Sequence, residues 1–180
     1  PDLMNAHNYV MKKYGYPTKS TDEIRNLVGK GAGALIGRSI WGQAKKEFSK
    51  VLDEKIKDEM VKEFVNFYGK NIVNESTLIA GVKDFLIWCK EQNISMAVCT
   101  NKQEHLSNDL LKKIGIYDFF EYVAGHNTFE YCKPDPRHLT NVVEILDGDV
   151  KKAIMIGDSE TDANAAKAAE IPVILLENGY

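Results

Sequence analysis

In the first eighty residues, apolar side chains recur at helical spacing, and no stretch alternates convincingly as a strand. Residues 2–14 form the first such segment, which Asp2 could cap and which ends at Gly15. Ser20 and Glu23 have the spacing of a capping box at the start of the next segment. This half of the chain is therefore predicted to be a bundle of helices.

Helical periods continue through residues 48–52 and 60–68, and residues 69–81 have the character of a linker. Beyond this linker the pattern changes in kind, because short apolar runs begin to alternate with helical stripes. We therefore predict two domains, a helical one at residues 1–77 and a second one at residues 78–180.

The second half alternates helix and strand throughout. The helical stripes lie near residues 82–89, 106–114, 139–146 and 163–169, and the apolar runs of strand length lie at residues 94–99, 122–124, 153–156 and 173–176. Nearly all-apolar strands that alternate with helices indicate a parallel sheet with helices on both faces. The predicted fold class is therefore α/β, with a Rossmann-like core and an additional helical domain.

Composition narrows the class of protein further. Among 180 residues, 44% are hydrophobic and 27% charged, and the net charge is −3, which suits a globular protein and not a basic nucleic-acid binder. No apolar run approaches the roughly 18 residues of a membrane span. The three cysteines lack a C-x-x-C spacing, so we expect reduced thiols and a cytoplasmic location. The oligomeric state is not indicated.

Polar side chains follow the predicted strands, at the sheet edge where α/β proteins bind ligands. Thr100, Asn101 and Lys102 lie between a strand and a helix and could bind one oxyanion together. Capping of the helix by Thr100 or Asn101, with Lys102 in solvent, is the alternative.

Two acids and one lysine lie at the same predicted edge. Asp158 and Asp162 follow another strand and could anchor a hard cation, although acids in a first helical turn are common. Lys133 begins a stiff Lys-Pro-Asp-Pro turn and could direct a fixed positive charge there, whereas a solvated lysine is the alternative. Together these groups could hold a magnesium-bound phosphate. The four histidines show no metal-ligand spacing and are predicted to be structural or solvent-facing.

In this order, the motifs resemble those of the haloacid dehalogenase superfamily, and within it the phosphoglycolate phosphatase group. The resemblance implies that Thr100 binds the transferring phosphoryl group and that Lys133 steadies its charge. It implies that Asp158 helps to hold Mg²⁺ and that Asp162 supports this metal site. The helical first half is similar to the family's inserted cap domain.

The implied activity is magnesium-dependent hydrolysis of a small phosphorylated metabolite, with 2-phosphoglycolate as the expected substrate. Asn101 and Lys102 are further candidate substrate-binding residues. Lys30 and Arg38 are candidates for a substrate carboxylate, and solvated charges are an equally good interpretation of both. A related pyrophosphatase or sugar-phosphate phosphatase, or a non-catalytic phosphate-binding protein, are the alternative functions.

The sequence departs from the family pattern in several places. The first motif, a strand that ends in Asp-x-Asp and supplies the nucleophile, does not occur in these 180 residues and is expected directly before Pro1. In the family that strand lies between those matching residues 94–99 and 153–156. Glu170 replaces a frequent glycine, and His126-Asn127 replaces a frequent Gly-Asp pair. The family's C-terminal end is also expected to extend beyond Tyr180.

We predict that the purified 180-residue polypeptide has no phosphatase turnover and binds Mg²⁺ weakly. An aspartyl-phosphate route needs one carboxylate in line with phosphorus and a second one to move the proton, and Asp158 cannot supply both. The measurement is phosphate release from 2-phosphoglycolate with added Mg²⁺. Magnesium-dependent hydrolysis by this polypeptide would contradict the prediction.

Overall fold

The computed structural model describes residues 1–29, 31–44 and 54–177 and divides the chain into two compact units. The first unit is Pro1–Ser76 and the second is Thr77–Tyr180. The predicted helical period at residues 48–52 lies outside the described residues.

The described part of the first unit is helical, as its apolar spacing predicts. Its helices are α1 (Asp2–Lys13), α2 (Thr21–Arg25), α3 (Ala32–Ala44) and α4 (Glu54–Lys70). Helices α1 and α3 both pack against α4, and the apolar side chains between them are buried, among them Ala6, Val10, Met11, Leu35, Ile36, Met60 and Phe64. Burial of this shared face supplies the main stabilisation of the bundle.

The capping box that begins α2 is present. The hydroxyl oxygen of Ser20 accepts a hydrogen bond from the Glu23 N–H at 3.3 Å, and the Glu23 carboxylate accepts one from the Ser20 N–H at 2.8 Å. Each side chain thus satisfies a main-chain donor at the start of this five-residue helix.

Asp2 does not cap α1, which corrects the sequence-based expectation. Pro1 occupies the N-cap position, and the Asp2 side chain, which is 2% exposed, turns to the other end of the unit. Its carboxylate accepts hydrogen bonds from the Glu75 N–H at 3.0 Å, the Ser76 N–H at 2.9 Å and the Ser76 hydroxyl at 2.7 Å. Asp2 therefore ties the first turn of α1 to the last two residues of the first unit.

The second unit alternates helices and strands. The elements are α5 (Val82–Glu91), β1 (Ala97–Cys99), α6 (Glu104–Lys113), β2 (Tyr122–Ala124), α7 (Arg137–Ile145), β3 (Met155–Gly157), α8 (Glu160–Ala168) and β4 (Val173–Leu175). Short 3₁₀ turns lie at Tyr117–Phe119 and Val150–Lys152. The predicted alternation is confirmed, and each strand is as short as or shorter than the apolar run that predicts it.

The strands form two parallel pairs. In the first, Ala97 of β1 pairs with Tyr122 of β2, and in the second, Met155 of β3 pairs with Val173 of β4. Helix α7 contacts both strands of the first pair and also packs on α8, which covers the second pair. One helix thus contributes to both halves of the core.

The pair formed by β3 and β4 exposes one apolar face. Ile156 and Ile174 are opposite each other in the register and are 43% and 52% exposed, whereas Met155 and Val173 pack against the cluster around α8. No strand among the described residues lies between β1 and β3. That interval is where the family resemblance places the strand of the first motif.

Glu170 shows why related proteins often have glycine at its position. It follows α8 with a φ of +57°, in the left-handed region that a side chain disfavours and that glycine adopts without strain. Glu170 therefore follows the helix in the left-handed conformation that glycine usually adopts there, but with a side chain.

None of the described helices has both the length and the apolar character needed to cross a membrane.

Replacing Asp2 by Asn should lower the free energy of unfolding by about 1–3 kcal/mol at pH 7, because buried N–H groups lose a charged acceptor. Burial alone would raise the pKa of Asp2, but the Ser76 hydroxyl and the Glu75 and Ser76 N–H groups lower it below its ordinary value. The stabilisation is therefore present above the ordinary carboxyl pKa and is lost as pH falls through the lowered value.

The measurement is urea unfolding of wild type and Asp2→Asn at pH 7 and at acidic pH. Asp58→Asn, on the exposed side of α4, is the control and should change stability by less than about 0.5 kcal/mol. Equal effects of the two substitutions at pH 7 would contradict the assigned role of Asp2.

Candidate active site

The segment after β1 is shaped by main-chain hydrogen bonds. The Thr100 N–H donates to the Ala124 carbonyl at 2.9 Å and so continues the pairing with β2 for one residue. The Thr100 hydroxyl oxygen accepts from the Lys102 N–H at 3.1 Å. Helix α6 begins only at Glu104, with Gln103 as its N-cap. Thr100 and Asn101 therefore do not cap this helix, and that alternative was wrong.

The loop after β2 supplies the cap that α6 needs. The side-chain oxygen of Asn127 accepts a hydrogen bond from the Glu104 N–H at 2.9 Å. Gly125 lies so close to the start of α6 that a Cβ there would be 2.3 Å from the Glu104 nitrogen. Asn127, in the place of the family's frequent Asp, is thus a working helix cap and keeps the loop against α6.

Lys133 lies at the centre of the site and is only 7% exposed. Its Nζ donates to the Cys99 carbonyl at 2.5 Å, at the end of β1, and to Oδ1 of Asp162 at 2.5 Å, in the first turn of α8. The alternative of a solvated lysine was therefore wrong. This one ammonium group joins the two strand pairs of the second unit.

Asp162 uses both of its carboxylate oxygens within the protein and is 4% exposed. Oδ1 accepts from Lys133, and Oδ2 accepts from the N–H groups of Asp158 and Ser159 at 3.1 Å each and from the Ser159 hydroxyl at 2.7 Å. A Cβ on Gly157 would be 2.4 Å from that of Asp162, so glycine permits this close approach. The hydrogen bonds favour a supporting role for Asp162 beside a metal site, and direct ligation stays a prediction.

The two acids have opposite electrostatic character. Burial, together with the negative charge of Asp162, raises the pKa of Asp158 above its ordinary value. Burial alone would raise the pKa of Asp162 too, but the charge and the hydrogen bond of Lys133, helped by Ser159, lower it. For Asp158, burial and the charge of Asp162 thus outweigh the favourable charge of Lys133, and an added cation would further stabilise the charged carboxylate.

The predicted residues of the second unit come together as expected. Lys133 contacts the carbonyl directly before Thr100, Asn101 donates its Nδ2–H to the Lys133 carbonyl at 2.8 Å, and Asp162 links Lys133 to the Asp158 main chain. An unbroken chain of hydrogen bonds thus connects the segment after β1, the turn that contains Lys133 and the loop after β3.

Of the two candidates in the first unit, only Arg38 lies among the described residues. Arg38 is half-buried in α3, and its guanidinium donates to the Leu27 carbonyl at 3.2 Å, which holds the segment before the helix. Lys30 lies outside the described residues. Their roles toward a substrate stay predictions.

Cys99, the last residue of β1, is a thiol packed against the core around α8. Burial raises its pKa to about 11, with the charge of Lys133 opposing and that of Asp162 adding to the shift. The thiolate that a nucleophilic cysteine requires is therefore strongly disfavoured.

The donor set around Asp158 fits Mg²⁺. This ion is commonly held by one or two carboxylates, with water and phosphate oxygens completing its shell. Across residues 1–29, 31–44 and 54–177, no three His, Cys, Asp or Glu side chains are grouped closely enough to hold a metal ion by themselves. A magnesium ion at Asp158 would therefore depend on water, on the substrate phosphate and on ligands beyond the described set.

Sequence reasoning missed three supporting residues. Ser159 and Asp162 form a capping box at α8, a signal that their spacing carries. Asn127 was noted only as a departure, and its capping role depends on the fold of a distant loop. His138, expected to be structural or solvent-facing, is fully buried and accepts a hydrogen bond from the Lys133 N–H at 3.1 Å. No spacing in the sequence indicates that contact.

The structure shows an α/β protein with polar and charged side chains gathered at its strand ends, and comparison with known proteins gives the family. Residues 1–176 match the haloacid dehalogenase-like hydrolase family. The chain belongs to this family, which confirms the resemblance seen in its motifs. The predicted enzyme class, a hydrolase of phosphoric monoesters, is supported by the same matches.

Individual relatives match the whole chain. The phosphoglycolate phosphatase of Mesorhizobium japonicum is 34% identical over 180 residues, which are 100% of this chain and 77% of that protein. The one from Caulobacter vibrioides is 36% identical over 100% of this chain and 74% of its own length. The crystal structure of a predicted phosphoglycolate phosphatase from Haemophilus somnus 129pt is 29% identical, with a TM-score of 0.93 over 100% of this chain and 80% of its own.

Replacing Asp162 by Asn should lower the free energy of unfolding by about 3–5 kcal/mol, because Lys133 is left buried without its counter-charge. Asp158→Asn should leave stability at pH 7 unchanged or higher, since it removes a carboxylate whose charged form the fold disfavours. The two variants are matched in chemistry and differ only in position.

The measurement is chemical denaturation of the metal-free protein at pH 7, with EDTA present. Because the pKa of Asp162 is lowered, its contribution should be lost as pH falls through that lowered value. A larger loss of stability for Asp158→Asn than for Asp162→Asn would contradict this account of the site.

Proposed function

We propose that this protein is a magnesium-dependent phosphatase with 2-phosphoglycolate as its substrate. The observation that carries the proposal is the buried Lys133, which contacts both the end of β1 and Asp162 of α8, and Asp162 in turn binds the Asp158 main chain. The names and the full-chain coverage of its relatives support phosphoglycolate over other small phosphate esters.

In this proposal, Thr100 and Lys133 bind the phosphoryl group. The Thr100 hydroxyl oxygen accepts from the Lys102 N–H, so its own proton remains available for a phosphoryl oxygen. An ammonium group has three N–H bonds, of which Lys133 uses one for Cys99 and one for Asp162. The third can donate to a second phosphoryl oxygen. The positive charge opposes the negative charge that grows in the transition state.

The nucleophile is proposed to be an aspartate outside the described residues, on a strand between β1 and β3. Its carboxylate attacks phosphorus, the P–O bond to the leaving group breaks, and a second acid protonates the departing oxygen. Water then cleaves the resulting acyl phosphate and restores the carboxylate. Separately, the exposed apolar side chains of Ile156 and Ile174 favour a further element packed on the face of β3 and β4.

Asp158 is proposed to hold Mg²⁺, with Asp162 keeping the loop in place through the Asp158 and Ser159 N–H groups. When bound, the ion neutralises charge on the phosphoryl group and orients it. Asn101 and Lys102 are proposed to line the phosphate site beside Thr100.

The helical unit is proposed to act as the cap that excludes water from the first chemical step. Arg38 and Lys30 are the proposed partners of the substrate carboxylate. Arg38 uses one of its five N–H bonds to hold the Leu27 carbonyl, so its guanidinium is anchored at one end while the other N–H groups can serve a carboxylate.

The test uses the protein expressed from its complete reading frame and a panel of phosphate esters with pyrophosphate. We expect magnesium-dependent phosphate release with the highest kcat/KM for 2-phosphoglycolate. Preference for pyrophosphate or a sugar phosphate would assign a related phosphatase instead. A reading frame without an upstream Asp-x-Asp strand, together with phosphate binding and no turnover, would assign a non-catalytic binding protein.

Asp158→Asn should raise the Mg²⁺ concentration needed for half-maximal activity by about tenfold or more, because a neutral amide is a much poorer magnesium ligand than a carboxylate. The measurement is a magnesium titration of initial rates at saturating substrate. Asp135→Asn, in the same Lys-Pro-Asp-Pro turn as Lys133 and paired with the exposed Arg137, is the control and should leave the titration unchanged. An unchanged midpoint for Asp158→Asn would remove Asp158 from the metal site.

A further inference from the structure

The main chain of Lys133 is held at both of its polar groups by side chains. The Lys133 N–H donates to Nδ1 of His138 at 3.1 Å, and the Lys133 carbonyl accepts from Nδ2 of Asn101 at 2.8 Å. At the far end of the same residue, Nζ binds Cys99 and Asp162. The position of the ammonium group is therefore determined from both ends of the side chain.

His138 is well suited to hold the Lys133 N–H. It lies in the first turn of α7, is 0% exposed and has the ring of Phe129 edge-on at 5.7 Å between ring centroids. Because Nδ1 accepts a hydrogen bond, the neutral ring carries its proton on Nε2. Burial first, and then the charge of Lys133, lower the pKa of His138 to about 4. The ring is thus neutral, and its acceptor is present, throughout the neutral pH range.

We propose that His138 is a positioning residue for Lys133, acting through the hydrogen bond from the Lys133 N–H to Nδ1. The inference rests on the proposed function in one respect, since it takes Lys133 as the group that binds the phosphoryl oxygen. Without the Nδ1 acceptor, a buried main-chain donor loses its partner and the peptide that begins the lysine side chain can shift. A shift of even 1 Å in a phosphate-binding group is enough to slow the chemical step strongly.

The role differs from that of a core residue, whose packing alone would matter. Several side chains could supply a similar volume and a contact with Phe129. Few of them could also place a hydrogen-bond acceptor at the position of Nδ1. The effect of a substitution at His138 should therefore depend on where the new side chain places its acceptor atom. A residue that retains an acceptor at the Nδ1 position should keep the Lys133 main chain and side chain in place. A residue that retains a polar atom only at the Nε2 position should not.

Two variants of similar size and polarity separate these cases in the complete protein. His138→Asn places an amide oxygen near the position of Nδ1, whereas His138→Gln places its amide near Nε2 and leaves the Lys133 N–H unpaired. The first readout is hydrogen exchange of the Lys133 amide followed by NMR. We expect exchange about tenfold faster in His138→Gln and within about threefold of wild type in His138→Asn.

Amides of α8, such as that of Ala165, serve as an internal control for global opening. Their exchange should change equally in the two variants, so that the ratio of Lys133 to Ala165 exchange isolates the local effect. Equal Lys133-to-Ala165 ratios in His138→Asn and His138→Gln would overturn the proposal and leave His138 as a packing residue only.

The second readout is kinetic. We expect kcat to fall about tenfold in His138→Gln with KM within about twofold of wild type, and His138→Asn to recover most of the loss. A parallel loss in both variants would also overturn the proposal. If wild type hydrolyses no phosphate ester, the proposed function fails, and the Lys133 exchange ratios still decide whether His138 positions Lys133.

Discussion

The contact between the Lys133 ammonium and the Asp162 carboxylate is the interaction on which the second unit depends. Both side chains are buried, so each charge depends strongly on the opposite charge that lies 2.5 Å away. Lys133 also binds the end of β1, and Asp162 also binds the loop after β3. The ion pair therefore joins the two parallel strand pairs at the edge where the candidate chemistry lies.

The two neighbouring acids, Asp162 and Asp158, differ in how the protein stabilises their charge. Asp162 satisfies its charge within the protein and holds the loop, whereas burial and the nearby Asp162 raise the pKa of Asp158 above its usual range. A magnesium ion would offset the unfavourable free energy of the charged Asp158 carboxylate. The burial of Asp158 beside Asp162 thus destabilises the metal-free protein and favours the metal-bound one.

The main features of the fold could be predicted because they follow from local periodicity. The alternation of helix and strand after residue 82 and the Ser20–Glu23 capping box all appear in the structure. Strand lengths were less accurate, since only the run at residues 122–124 forms a strand over its whole length. Asp2 was assigned as a helix cap, yet it binds residues 75 and 76, because a first-turn acid can equally serve a partner distant in sequence.

By itself, the sequence determined which chemical groups follow each strand, and with them the family, because strand ends and motif spacing are local properties. Only the tertiary structure decided what each group does there. Burial made Lys133 one half of an anchored ion pair instead of a solvated charge. The charge of Lys133 lowered the pKa of Asp162 despite burial, whereas burial raised that of Asp158. The hydrogen bond from the Lys133 N–H to His138 likewise exists only because the turn places the start of α7 beneath the lysine. Distances and desolvation set these roles, and neither can be calculated from residue order alone.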